Sequence, residues 1–137
     1  MEGGDEPTTR GDFPGGFVGD KRNAFTAAGR LKEEQELFEY IRRLTALRRE
    51  LEQLRSGALI NLHVSEQQYA YARGNAVVIV FNNDDKEAEF EFDVSRLGLR
   101  NGAMLRDRLE VSRDVTVRDG KLRVILPKRS AAIFSHR

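Results

Sequence analysis

The sequence has no cysteine and no tryptophan among its 137 residues. The missing thiols exclude disulfides, thiolate chemistry and sulfur-ligated zinc, and they leave the compartment open. No long apolar run is present, which argues against a membrane span. An excess of one charge is also missing: 23 Lys and Arg stand against 22 Asp and Glu, for a net charge of +1. The two signs are interleaved, so there is no clustered basic face of the kind nucleic acid requires. The start, Met1-Glu2-Gly3-Gly4-Asp5, has neither the basic opening nor the apolar stretch of a signal peptide. What remains is 39% apolar and 33% charged, the composition of about one domain with a modest core.

Three zones follow one another. Residues 1–31 are rich in Gly, Asp, Thr and Pro and have neither helical nor strand period, so they read as an irregular Gly-rich loop. Residues 32–56 read as one amphipathic helix. Leu37, Ile41, Leu44, Leu47, Leu51 and Leu54 recur at three- and four-residue steps, with Phe38 and Tyr40 widening the stripe. Glu33, Glu34 and Glu36 lie early and Arg48, Arg49 and Arg55 late, which suits the helix dipole. Ser56-Gly57 ends the pattern, with Gly57 expected in the left-handed conformation.

Residues 57–137 read as an antiparallel β-sandwich of about eight short strands, at 59–64, 68–73, 76–81, 88–94, 103–107, 115–118, 121–126 and 131–135. The fold class is therefore mainly β with one long helix. Phe90, Phe92 and Val94 alternate with Glu89, Glu91 and Asp93, the pattern of a half-buried strand. Asp119-Gly120 suits a two-residue hairpin turn, and residues 82–85 form another turn cluster. The run 76–81 does not alternate, so both its faces are expected to be covered, one by something other than the opposing sheet. The Leu-rich helix is the nearest candidate.

The stretch Arg10-Gly11-Asp12-Phe13-Pro14-Gly15-Gly16-Phe17, followed by Gly19-Asp20-Lys21, Asn23-Ala24-Phe25-Thr26 and Gly29-Arg30, resembles a segment of cyclomaltodextrinase and neopullulanase enzymes. These are glycosidases of the α-amylase family. In that family the segment follows the last strand of the catalytic β/α barrel, then come the last barrel helix and a C-terminal β-domain. The order of zones here is similar over essentially the whole chain, and it implies a C-terminal part of such a glycoside hydrolase. The resemblance also implies sugar-contacting roles for Glu6 and Arg10, in a Glu6-Pro7-Thr8-Thr9-Arg10 run with Glu where the family has Asp. Asp12 and Phe13 would line the same cleft. A carboxylate and a guanidinium can bind vicinal hydroxyls together, while a ring covers an apolar sugar face. The alternative is a loop-internal Arg10–Asp12 ion pair with Phe13 as anchor. The family usually has Thr or Ser ahead of the Glu-Glu-Gln run, and here Leu31 stands there. Arg30 and Leu31 are expected to anchor the helix start by packing in place of a cap.

Retaining glycosidases need two carboxylates about 5–5.5 Å apart. The family's motifs for them, a Gly-x-Arg-x-Asp run and an Asn-His-Asp end, do not occur in these residues. The carboxylates of the helix and strands are expected on solvated faces, and His63 and His136 at ordinary strand positions. No catalytic residue, metal site or cofactor is predicted. Gly15-Gly16 and Gly3-Gly4 do not join a strand to a helix, as a phosphate cradle requires.

Three roles follow. The first is a non-catalytic piece of an amylolytic enzyme. Its helix face, Leu37, Ile41, Leu44, Leu47 and Leu51, would pair in a homo-oligomer when left bare. The second is a free-standing α-glucan-binding module, with Tyr69 and Tyr71 on one strand face as a small sugar platform. The third is a complementing subunit that docks on a separately encoded truncated barrel.

Overall fold

The computed structural model describes residues 13–136. It divides into two compact units, Met1–Thr45 and Ala46–Arg137.

In the first unit the described loop folds around Asn23. The Asn23 side-chain oxygen accepts the Phe25 N–H at 3.0 Å, and its carbonyl accepts the Thr26 hydroxyl at 3.0 Å. The Ala24 N–H donates to the Pro14 carbonyl at 2.8 Å, and Ala24 is buried. Gly29 passes so close that an added Cβ would lie 1.9 Å from the Asn23 carbonyl oxygen. Only glycine tolerates that approach. The spaced glycines and Asn23 of the family-like motif thus hold the loop to itself.

Helix α1 runs Lys32–Glu50. Its start has no hydroxyl cap. Instead the Glu34 carboxylate accepts the Leu31 N–H at 2.9 Å, the return half of a capping box. Arg22 binds the same carboxylate at 2.8 Å. The Leu31 N–H and Arg22 hold the Glu34 carboxyl below its ordinary range. Arg30 anchors the start as expected: its guanidinium lies 3.6 Å from the Phe38 ring centroid and donates to the Ala24 carbonyl and to Gln35. Leu31 does not, being 57% exposed.

The helix is not continuous to residue 56. It stops at Glu50, and a single turn, α2, covers Gln53–Ser56. The break frees carbonyls at the end of α1, and arginine takes them. Arg55 donates to the carbonyls of Arg48 and Arg49, and Arg48 donates to the Leu54 carbonyl at 2.6 Å. Gly57 is not left-handed. Its φ of −63° and ψ of 141° are extended. Glycine is needed there for space, because a Cβ would lie 2.6 Å from the Gly74 nitrogen and 2.7 Å from the Gln53 carbonyl oxygen.

The described part of the second unit contains eight strands: β1 Leu59–Val64, β2 Gln68–Arg73, β3 Val77–Asn82, β4 Ala88–Asp93, β5 Met104–Asp107, β6 Val115–Thr116, β7 Lys121–Leu126 and β8 Ser130–Ser135. One six-stranded sheet has the order β1-β2-β3-β8-β5-β6, and β4 pairs with β7 in a second, two-stranded sheet. Every strand pairing is antiparallel. The sheets enclose one core in which Phe134, Leu105, Leu122, Leu126, Val78 and Val80 are fully buried.

Strand β4 alternates as the sequence requires, with Phe90 and Phe92 inward. On the solvent side Glu91 binds Lys121 at 2.9 Å and Glu89 binds Arg123. These opposite-charge pairs lie diagonally across the β4–β7 ladder. The bond to Arg123 lowers the Glu89 pKa, and the carboxylate partners raise those of Lys121 and Arg123. Asp119 and Gly120 both have positive φ, 49° and 74°, and close the two-residue turn between Arg118 and Lys121. His63 is half-buried, with its ring 5.2 Å from Phe90.

The expectation that carboxylates lie on solvated faces fails at Asp107, which is 3% exposed at the end of β5. The reason is local. The loop after β5 turns three backbone N–H groups toward this carboxylate, those of Leu109, Val111 and Ser112, at 2.9, 2.8 and 2.7 Å. A buried charge with that many donors is satisfied. Asn82 has a matching role between loops. Its amide nitrogen donates to the carbonyls of Lys86, Leu126 and Pro127, and its oxygen accepts the Asp84 N–H.

Candidate functional site

Two groups of residues are candidates for sugar contact. Glu6, Arg10 and Asp12 lie outside the described residues. Phe13 is 60% exposed, and its ring centroid is 4.9 Å from that of Phe25. That contact leaves part of the Phe13 ring open.

The second group is on the outer face of the six-stranded sheet. Side chains alternate between faces along a strand. Ala70, Ala72, Val78, Val80, Ala132 and Phe134 enter the core. Their neighbours Tyr69, Tyr71, Ile79 and Phe81 therefore share the opposite face. The register sets these residues in rows. Val64, Tyr69, Phe81 and Ala131 are successive cross-strand partners in one row, and Asn61, Tyr71, Ile79 and Ile133 in the next. A third row holds Leu59, Arg73, Val77 and Ser135.

Helical chain covers one end of this face. Arg73 reaches the Gln53 carbonyl at 3.5 Å, and Gly57 packs against Gly74. Glu50 binds Arg108 at 2.7 Å, and Arg108 reaches the Ser135 hydroxyl. Val77 and Ser135 are buried beneath this cover. Along the run 76–81, Val77 to Val80 are buried and Phe81 is not. At the opposite end the cover stops. Val64 is 72% exposed and Phe81 39%, and Tyr69 is half-buried.

Tyr69, Tyr71 and Phe81 form one cluster. Their centroids are 5.3 Å apart for Tyr69–Tyr71, 6.4 Å for Tyr69–Phe81 and 6.3 Å for Tyr71–Phe81, with interplanar angles of 28°, 15° and 14°. The Tyr69 hydroxyl donates to the Asn61 side-chain oxygen at 2.6 Å. Burial, with the neighbouring Tyr69, raises the Tyr71 pKa. The structure therefore joins the two tyrosines expected as a platform and adds Phe81 and Asn61. Phe81 ends the apolar run 76–81, where core packing is the first reading. Only the β2–β3 register puts it beside Tyr69.

The architecture is that of an antiparallel β-sandwich domain with an irregular loop and a long helix ahead of it. No family model matches the chain. Among solved structures, an Anoxybacillus α-amylase is similar over 100% of this chain and 27% of its own, with a TM-score of 0.70 and 25% identity. A protein from Thermus thermophilus is similar over 100% and 26%, with a TM-score of 0.72 and 25% identity. The native Nostoc punctiforme debranching enzyme is similar over 80% and 24%, with a TM-score of 0.61 and 25% identity. The chain spans about a quarter of the length of these proteins. The neighbours include α-amylase-family enzymes, and the likeness is consistent with a C-terminal domain fragment of such an enzyme.

Proposed function

We propose that this chain is a non-catalytic C-terminal portion of an α-glucan-degrading glycoside hydrolase of the cyclomaltodextrinase and neopullulanase kind. Its role is to support and dock a barrel and not to cleave. The observation that carries this reading is the likeness of the entire chain to about a quarter of an α-amylase. The loop motif from Arg10 to Arg30 adds the cyclomaltodextrinase and neopullulanase character. The buried carboxylate Asp107 is committed to backbone N–H groups and is not available as an acid or nucleophile. The test is reducing-sugar release from β-cyclodextrin, pullulan and starch by the purified 137-residue chain. No release above a mock purification is expected. Turnover that co-purifies with the chain would overturn the reading.

The helix supplies the docking surface. Leu37, Phe38, Tyr40 and Ile41 are 59%, 42%, 45% and 53% exposed, whereas Leu47 is buried. The exposed part of the apolar stripe is therefore in the N-terminal half of α1. Without a barrel the chain is expected to self-associate through this face. Light scattering should give a mass above the 15.6 kDa monomer. Ile41→Glu, which sets a charge in the patch, should restore the monomer. A monomeric unsubstituted chain at high concentration would refute this.

A further inference from the structure

We infer that the open end of the outer sheet face, built on Tyr69, Tyr71 and Phe81, is a binding surface for an α-glucan chain. The inference rests on the proposed function for its substrate class, and on the face itself for its place.

Three features of the face fix the chemistry of the occupant. First, three stacked, near-parallel rings lie within 6.4 Å of one another, with Phe81 39% exposed and Tyr69 and Tyr71 half-buried. Sugar rings present flat faces of C–H groups, and an aromatic surface covers such faces with little loss of freedom, since each ring has few rotors. Second, the two rows that carry the rings have no charged side chain. They hold Val64, Tyr69, Phe81 and Ala131, then Asn61, Tyr71, Ile79 and Ile133. Ile79 and Ile133 in the second row are buried, so the open part is the first row with Asn61 and Tyr71. A neutral face suits an uncharged ligand and offers an ionic partner nothing. Third, the polar groups at its margin are hydroxyls and amides. Asn61 bonds the Tyr69 hydroxyl, and Asn83 bonds Gln67 at the turn end of the same strands at 3.2 Å. Amides and hydroxyls both donate and accept, as a polyol requires.

The face is also held in place. The helical segment bonds to Arg73 through the Gln53 carbonyl, and the rings stand on β2 and β3, which pair over six residues. A rigid platform loses little entropy when a ligand settles.

Tyrosine emission is a direct reporter, because the chain has no tryptophan and only three tyrosines. In a Tyr40→Phe background the signal comes from Tyr69 and Tyr71 alone. Titration with maltoheptaose is expected to give a saturable change. Phe81→Ala should weaken binding roughly three- to tenfold, the range for one aromatic contact. Phe81→Tyr should retain binding, and Tyr69→Ala should weaken it when binding is followed by calorimetry. Circular dichroism and the urea midpoint identify any variant that fails to fold. Phe81→Tyr keeps the test decisive in that case.

No saturable change with folded protein, or binding indifferent to both rings, overturns the inference. Equal affinity for cellohexaose overturns its α-glucan part. If the ring substitutions alter only the oligomeric mass, the face is a protein contact and the inference also fails. Reducing-sugar release would sink the supporting role while leaving ring-dependent binding intact. The reverse result would sink only this surface.

Discussion

Phe134→Ala is expected to lower the stability of the second unit by about 3–5 kcal/mol, the usual cost of removing a buried phenyl ring. Phe134 is fully buried on β8. Its strand lies between β3 and β5, and it pairs with Val78 on one side and Asp107 on the other. Its ring belongs to the core that the β4–β7 pair closes from the opposite side. No single neighbour can fill the space, because strands held by ladders on both sides cannot collapse inward. Domains of this size are stable by about 5–15 kcal/mol, so the variant approaches unfolding at room temperature. Urea denaturation followed by circular dichroism measures the effect. Ile125→Ala is the control. Ile125 is on the outer face of β7, 47% exposed, and should change stability by about 0.5 kcal/mol or less. Equal shifts for the two variants would mean that the core is misassigned.

Asp107→Ala is the second large effect, at about 2–4 kcal/mol, because it strands donors that have no other partner in the loop. The carboxylate accepts from Leu109 on one oxygen and from Val111 and Ser112 on the other. Its own N–H donates to Asp114 at 3.1 Å. The loop it anchors includes Glu110 at φ 59°, a left-handed position that a residue with a Cβ adopts only when its surroundings hold it there. Asp107→Asn should cost less but still be destabilising. An amide has one accepting oxygen, so at least one donor faces an NH₂ group. Amide hydrogen exchange gives the local readout. Leu109, Val111 and Ser112 should lose protection in both variants, well before the strands do. Unchanged protection at these three amides would refute the anchor.

The strands are legible because burial leaves a period in the sequence. Glu89, Glu91 and Asp93 alternate with Phe90 and Phe92, and the sandwich needs only that alternation to place β4. The turn at Asp119-Gly120 is legible because two consecutive positive φ values demand a narrow set of residues. The end of the helix is less so. Leu51 and Leu54 continue the apolar stripe through residues 51 and 52, yet the backbone breaks there and arginine side chains take the freed carbonyls. Long-range side-chain capping of this kind has no local spacing rule. Gly57 is a necessary glycine, but not for the left-handed turn that its position suggests. The need comes from Gly74, a distant residue in sequence that lies against it in space.

The candidate platform divides in the same way. Tyr69 and Tyr71 share a face by strand period alone, whereas Phe81 and Asn61 join them only through pairing with neighbouring strands. The sequence by itself determined the zones, the alternation of the outer strands and the family likeness of the loop, because each is written in spacings of a few residues. Tertiary structure alone decided that Asp107 is buried, that Leu47 is buried while Leu37 and Ile41 are not, and that one end of a sheet face stays uncovered. Each of these depends on which distant strand or helix lies alongside, and a neighbour in space leaves no period in the chain.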